Sequence, residues 1–367
     1  MSDTKPQKHL PLEALHEDAN ARFGTFAGWR MPLTYPAGVM KEHLHTRESA
    51  GLFDISHMQL FEVEGAGAAD FLSRACPIDA AALKEGQSKY TVLLNENAGI
   101  IDDLIVTRLG ENRFMVVANA GNADKDEAHF RAIATAFEVS LTPLERVLLA
   151  LQGPEAEAAM IAAGLDLSDL TFMTGTEPRK GWFAARSGYT GEDGFEVALP
   201  VDEAERFVRT LLDDERVQWV GLAARDSLRL EAGLCLHGQD LDENTDPASA
   251  AILWAVPKAL REKGQFIGAE ALQKIIADGA REKRVGLKPK GRQPVRAGAL
   301  LINEAGERVG RVTSGGFGPS AGHPVAMGYV AKPLSEPGTR LFTEVRGNRI
   351  ALDVHPLPFT PQRYKKG

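Results

Sequence analysis

Between residues 90 and 121 the sequence YTVLLNENAGIIDDLIVTRLGENRFMVVANAG holds three apolar runs separated by Asn- and Gly-bearing turns, the pattern of an antiparallel meander. It leads into residues 122–137, where Phe130, Ile133, Ala134 and Phe137 recur at i, i+3, i+4 and i+7 and predict an amphipathic helix. RVLLALQGPEAEAAMIAAG predicts a strand ending at Gln152 and Gly153, then a helix opened by Pro154 and stopped by Gly164. GWFAARSGYTGEDGFEVALP predicts two strands around a Gly-rich loop. A helix follows, with Ala204, Phe207, Val208, Leu211 and Leu212 along one stripe and Asp202 with Glu205 as its capping box. Strand, loop, strand and helix thus occur twice without a strict sequence repeat.

Beyond about residue 280 the helical period disappears. Short runs such as ALLI, RVGRVTS, AMGYV, RLFTEV and RIALDV alternate with Gly, Pro and Asn turns, predicting a small β-barrel or sandwich. The organisation expected is α+β in three parts: an N-terminal unit over 1–145 with the meander, a second unit over 146–280, and a β domain over 281–367, the first two free to interleave. The last boundary falls in ADGAREKRVGLKPKGRQPVR, where residues 281–296 hold seven bases against Glu282 alone. That run reads first as a solvated linker and second as a docking face for an acidic partner.

Composition narrows the class. A chain of 367 residues with 44% hydrophobic and 25% charged side chains is a folded protein of roughly two to three domains. A net charge of −8 argues against a general polyanion binder, so no nucleic-acid partner is expected. Cys76 and Cys235 lack any ligand spacing and read as packed thiols of a reducing compartment. The first twenty residues have no apolar h-region and mix acids with bases, so neither a secretory signal nor a transit peptide is expected and the location is taken as cytoplasmic. The longest stretch free of Lys, Arg, Asp and Glu, residues 312–331, contains five glycines and two prolines, so no membrane span is expected.

Asp102 and Asp103, inside the apolar run GIIDDLIV, are the residues hardest to explain as packing. Strand alternation puts Ile101, Asp103 and Ile105 on one face and Asp102, Leu104 and Val106 on the other, so only one aspartate can enter a given pocket. Burying an unpaired carboxylate costs roughly several kcal/mol, so each needs a partner, a solvent edge or a function. The plain alternative leaves one in water at the strand end and the other salt-bridged. In GYTGEDGFEV, Tyr189 and Glu196 are candidates for one cavity across a Gly-rich loop, although a simple hairpin fits equally well. Arg225 and Arg229, four apart on a predicted helix that Gly233 stops, are expected mainly at the surface. His43 and His45 lie outside any HExxH context, and no GxSxG or cysteine-nucleophile motif occurs, so neither a metal site nor covalent catalysis is expected.

Ten segments, read together, resemble the tetrahydrofolate-dependent aminomethyltransferases, the T-proteins of the glycine cleavage system. They are AGWRMPL, GLFDISHM, NENAGIIDDLIV, VVANAGNADKD, LALQGP, SGYTGEDGFE, LAARDSLRLEAGLCLHGQDLDENTDP, FIGAEAL, VTSGGFGPS and MGYV, in order along nearly the whole chain. The resemblance implies a fold of two mixed α/β units and a small C-terminal β-barrel around a central folate site. It also implies that tetrahydrofolate is the acceptor substrate, that a lipoylated H-protein is the partner and donor, and that no metal takes part. It maps the site onto Tyr90, Asp103, Asn119, Tyr189, Glu196 and Arg225. Asp103 matches the family's functional aspartate, with Asp102 as the second possibility, and Phe172 lies where some relatives have a tyrosine. The C-terminal tail approaches folate in relatives, but QRYKKG is too divergent to map.

The residue types suit those roles. A carboxylate beside the folate nitrogens, here Asp103, serves as general base. Glu196 suits the adjacent N–H donors of a pterin edge as a bidentate acceptor. Tyr90 and Tyr189 give flat contact with a polar tip, Asn119 both a donor and an acceptor, and Arg225 a charge for a folate or protein carboxylate. His237, where tyrosine is common, and AGI in place of a paired glycine depart from the family pattern and are expected outside the acceptor set. The rival readings are another folate-fold one-carbon transferase or demethylase, and a non-catalytic folate-binding RNA-modification accessory protein. The lack of a GxGxxG flavin motif and the acidic balance disfavour them.

Overall fold

The computed structural model describes residues 6–367; residues 1–5, the start of the N-terminal segment read above as no leader, lie outside the described residues. The meander forms from Ser88–Leu94, Ile100–Gly110 and Arg113–Ala118, and Gln59–Glu64 and Ser140–Leu144 extend it to five strands. One face, with Phe61, Leu104, Val106 and Val116, packs against helices Ala68–Ala75 and Ala123–Ala134 through Phe71, Leu72 and Phe130. The second helix is shorter than its periodicity predicts, and Phe137 reaches the same core from beyond its end.

A six-stranded sheet runs Thr174–Thr176, Phe183–Arg186, Gly194–Leu199, Val147–Gln152, Ala50–Asp54 and Val217–Trp219. Its Leu149 and Leu151 face helices Ala156–Ala162 and Val201–Leu212, while Leu148 and Ala150 join Leu60, Met115 and Val117 of the five-stranded sheet in a shared core. Two sheets stacked face to face with helices outside both bury apolar residues on both faces of their inner strands. The expected boundary at 145/146 is crossed twice. Ala50–Asp54 belongs to the second sheet, and Leu241, Ile252, Phe266 and Leu272 pack on Val92, Leu94 and Ile100 of the first.

Two local expectations are corrected. Helix Val201–Leu212 starts directly after the strand, with Pro200 at its N-cap, so Asp202 lies inside the first turn and forms no capping box; Glu205 instead bonds Arg209. The predicted stripe is nonetheless buried at Ala204, Phe207, Val208 and Leu211. Residues 281–296 are no linker, because Glu282–Pro289 is the first strand of the barrel. There Val285 and Leu287 enter the barrel core, Arg284 is buried and donates to the Ala250 carbonyl at 2.9 Å, and Lys290 pairs with Asp353. Alternate residues of a strand face opposite ways, so the charges of this run do not form one surface.

The barrel closes in the order Glu282–Pro289, His323–Ala331, Arg308–Gly318, Leu300–Ile302, Arg340–Val345 and Asn348–His355. Helix Leu222–Glu231 lies against it and against helix Val39–Glu48 and strand Trp29–Thr34, so it has little surface. Arg225 and Arg229 are therefore buried, against expectation. Arg229 is held by Asp240 at 2.7 Å, as a buried charge requires. Gly233 ends the turn beyond this helix at φ +71°, where glycine is favoured. Among the described residues no helix is long and apolar enough to cross a membrane.

Candidate active site

A cavity of about 1330 Å³ opens between the two sheets' loops, helix Leu222–Glu231 and the C-terminal tail. Tyr90, Asp103, Asn119, Phe172, Tyr189, Glu196 and Arg225 all line it, whereas Asp102 does not. Strand Ile100–Gly110 explains that split. Asp103 and Ile105 face the cavity, and Asp102 faces away and is fully buried. Ile101 is the extra residue of a β-bulge between the pairs Leu93 with Asp102 and Leu94 with Ile100, so it joins Leu104's core instead of sharing Asp103's face.

Neither aspartate follows the plain alternative of water or a salt bridge. Asp102 accepts from the Asn119 backbone N–H at 3.0 Å, from Asn119 Nδ2 at 2.9 Å and from Asn122 Nδ2 at 2.6 Å. Asp103 accepts from the Tyr90 hydroxyl at 2.8 Å and from Asn119 Nδ2 at 2.9 Å. Burial and then the negative charge of Asp102 push the Asp103 carboxyl up to about 6, against the opposing pull of His237, Tyr90 and Asn119. A carboxylate with that affinity for a proton is placed to accept one near neutral pH.

Around Asp103 the wall is aromatic and polar by turns. Tyr90 stacks on Trp254, whose ring centroid is 5.1 Å away and which stays 63% exposed at the rim. Tyr189 donates its hydroxyl to the Cys235 carbonyl and carries the Arg225 guanidinium 4.9 Å above its ring. Glu196 accepts from the Ser187 hydroxyl at 2.9 Å. Buried Arg225 leaves Nη1 without a hydrogen-bond partner, and among the described residues it pairs with no carboxylate. Burial lowers its proton affinity although the charge of Glu196 opposes this.

Further lining residues outside the expected set shape the site, among them Gln362, Tyr364, His57 and His237. Phe172 stacks on Tyr364 at 3.9 Å, and Arg363 beside it bonds Glu192, so the tail whose sequence did not map closes one wall with Gln362 and Tyr364. His57, in GLFDISHM, lines the cavity with Nδ1 unpartnered, and burial followed by the charge of Arg225 pushes it down to about 3, keeping it neutral. His237, expected outside the acceptor set, lies 2.9 Å from Asn122 Nδ2 and 4.0 Å from Asp102. Its Nε2 donates to the Ile100 carbonyl at 3.2 Å. The other departure, Ala98, takes the left-handed φ of +64° that favours glycine and stays outside the cavity lining.

Among the described residues no group of His, Cys, Asp and Glu is arranged to hold a metal ion. Cys76 and Cys235 are free and buried.

The fold and its enzyme class are those of the aminomethyltransferases. Residues 12–259 match the GCVT N-terminal domain, and residues 282–360 match the glycine cleavage T-protein C-terminal barrel domain. The chain belongs to the glycine cleavage T-protein family. It is 42% identical to the mitochondrial aminomethyltransferase of Gallus gallus, covering 97% of this chain and 93% of that one. The mitochondrial aminomethyltransferase of Dictyostelium discoideum is 39% identical, covering 100% and 95% respectively. The crystal structure of the glycine cleavage system aminomethyltransferase T from Bartonella henselae is similar throughout, with a TM-score of 0.97, 62% identity, and coverage of 98% of this chain and 99% of that one.

Proposed function

We propose that the enzyme moves the methylene carbon of an aminomethyl group, held as a thioaminal on the lipoyl arm of an H-protein, to tetrahydrofolate, with Asp103 as general base. A folate nitrogen attacks the methylene carbon, the C–N and C–S bonds to that carbon break, and both folate nitrogens end bonded to it. Of the two N–H protons lost by tetrahydrofolate, one leaves with ammonia and the other is taken up by the lipoyl sulfur. The products are 5,10-methylenetetrahydrofolate, ammonia and the dihydrolipoyl arm. Asp103 takes a proton as nitrogen attacks; Tyr90 and Asn119 orient its two oxygens.

The observation that carries this reading is the placement of Asp103: open to the cavity, bonded at both oxygens, and raised towards neutral. The volume, about 1330 Å³, exceeds the roughly 300–1,000 Å³ usual for a small-molecule site, which supports entry of a donor arm beside the acceptor. Glu196 is the acceptor for the pterin edge, and the unpaired Nη1 of Arg225 is the donor for a ligand oxygen. Phe172 with Tyr364 is a stacked wall for the flat parts of the acceptor. A cytoplasmic location is part of this proposal, supported by the two unpaired thiols and open to cell fractionation.

The test is ammonia release from aminomethyl-loaded H-protein, with and without tetrahydrofolate, for wild type, Asp103→Asn and Asp102→Asn. Release that depends on folate and is lost mainly in Asp103→Asn supports the assignment. Loss only in Asp102→Asn transfers the role to that residue, and folate binding without release removes the H-protein donor.

A further inference from the structure

Helix Ala123–Ala134 follows Asn122, whose side chain bonds Asp102, and its fourth residue, Asp126, four positions on from Asn122 and so on the same face, is fully buried. Among the described residues neither oxygen of Asp126 has a hydrogen-bond donor. A carboxylate without water or donors, next to a second carboxylate, suffers both desolvation and like-charge repulsion. One proton between the two removes both penalties. Asp102 already accepts from three N–H groups of Asn119 and Asn122, which favour its ionised form, so the proton resides on Asp126.

The surroundings agree. Burial first, and then the charge of Asp102, hold the Asp126 carboxyl well above the usual carboxylate range. Its neighbour Lys125 pulls the other way but pairs at the surface with Glu243. From helix Ala68–Ala75 the facing group is the thiol of Cys76, just past its end, which burial keeps neutral. Asp103 faces the pair along the strand, and His237 approaches Asp102 Oδ1 at 4.0 Å from the loop after helix Leu222–Glu231.

We propose that Asp126 is a positioning residue for the transfer: it carries a proton that it donates to Asp102, and Asp102, fixed as the single negative charge of the pair, holds Asn119 and through it Asp103. The role rests on the reading of Asp103 as the general base. Asp126→Asn keeps a neutral donor of the same shape towards Asp102, whereas Asp126→Leu keeps the shape and removes the donor. Without the donor the charge of Asp102 is held less firmly, and the repulsion that raises Asp103 weakens.

The experiment compares full-length wild type, Asp126→Asn, Asp126→Leu and Asp103→Asn by two readouts: the infrared C=O stretch of a protonated carboxylic acid at neutral pH, and the acid limb of the turnover profile. The expected result is a band present in wild type and Asp103→Asn but missing from Asp126→Asn, an unmoved limb in Asp126→Asn, and a downward shift of up to about one pH unit in Asp126→Leu. A band that survives Asp126→Asn, or a limb that moves equally in both variants or in neither, overturns the proposal. If Asp126→Leu does not fold, Asp126→Asn decides alone: band lost with limb unmoved supports it, and any other result overturns it. Full turnover in Asp103→Asn brings down the general-base reading and the positioning role with it. Turnover lost in Asp103→Asn with the limb unmoved in Asp126→Leu overturns the role of Asp126 alone.

Discussion

Asn119 Nδ2 lies 2.9 Å from Asp102 Oδ1 and 2.9 Å from Asp103 Oδ1, so one side-chain amide ties the aspartate that faces the core to the one that faces the cavity. The charge of Asp102 is thereby held where it raises the proton affinity of Asp103. Turnover is expected to fall as pH drops through about 6, because the base is then protonated. Asp102→Asn removes the repelling charge, so its acid limb moves down in pH, while the loss of an acceptor for Asn119 lowers the plateau of turnover. A profile that moves up or stays in place refutes this coupling.

Arg225 is a buried cation with an unpaired nitrogen, an arrangement that costs stability in the free enzyme. Arg225→Gln is expected to leave Tm unchanged or higher while tetrahydrofolate affinity falls about tenfold or more, the worth of a charge-assisted hydrogen bond. Calorimetric titration and thermal unfolding on the same samples decide it. A lower Tm with intact affinity makes Arg225 structural.

Glu231 joins helix Leu222–Glu231 to the rest of the molecule, accepting from Arg47, from the Ser320 and Ala321 backbone and from Thr360, with His43 at 3.1 Å. Burial raises its proton affinity, but the hydrogen bond and charge of His43, the Ala321 N–H and Arg47 outweigh that and hold the carboxyl down to about 2. Its folded value lies below the unfolded one, so the stability it contributes is present above about pH 4 and is lost as pH falls towards about 2. Urea unfolding of Glu231→Gln is expected to show a loss of roughly 2–3 kcal/mol at neutral pH that shrinks in acid. A gap that is constant with pH contradicts the charge-based account.

Lys288 and Lys290 lie in the basic run, with Lys290 paired to Asp353 at 2.6 Å. If this edge of the barrel steers an acidic H-protein, Lys288→Glu with Lys290→Glu raises the apparent KM for H-protein several-fold at low salt, and added salt narrows the difference. An unchanged KM removes the barrel edge from docking.

Much of this was readable from periodicity. The meander, the stripe from Ala204 to Leu211 and the barrel strands are each fixed by local periodicity, and the motif segments led to Asp103, Asn119, Tyr189, Glu196 and Arg225, all in the cavity wall, but not to His57 or His237, which lie in the same segments. What escaped depends on contacts distant in sequence. Arg225 and Arg229 look like surface residues until three elements pack on their helix. His237 looks remote until the loop after that helix folds back on the meander. Ile101 changes sides because of a bulge that no alternation rule predicts. Tyr364 carries a signal only in hindsight, as the single aromatic of a divergent tail.

Ala50–Asp54 pairs on one side with Val147–Gln152 and on the other with Val217–Trp219. During synthesis this fully buried strand emerges early and must wait, unpaired, while the whole five-stranded sheet is made before either neighbour exists. Such long-range closure makes folding slow and leaves an apolar edge open to wrong partners in the interval. Cutting the gene at residue 145 would not release two domains. It would leave the second sheet without an inner strand and strand Val217–Trp219 without its neighbour, so the two halves of the cavity wall are inherited, expressed and lost together.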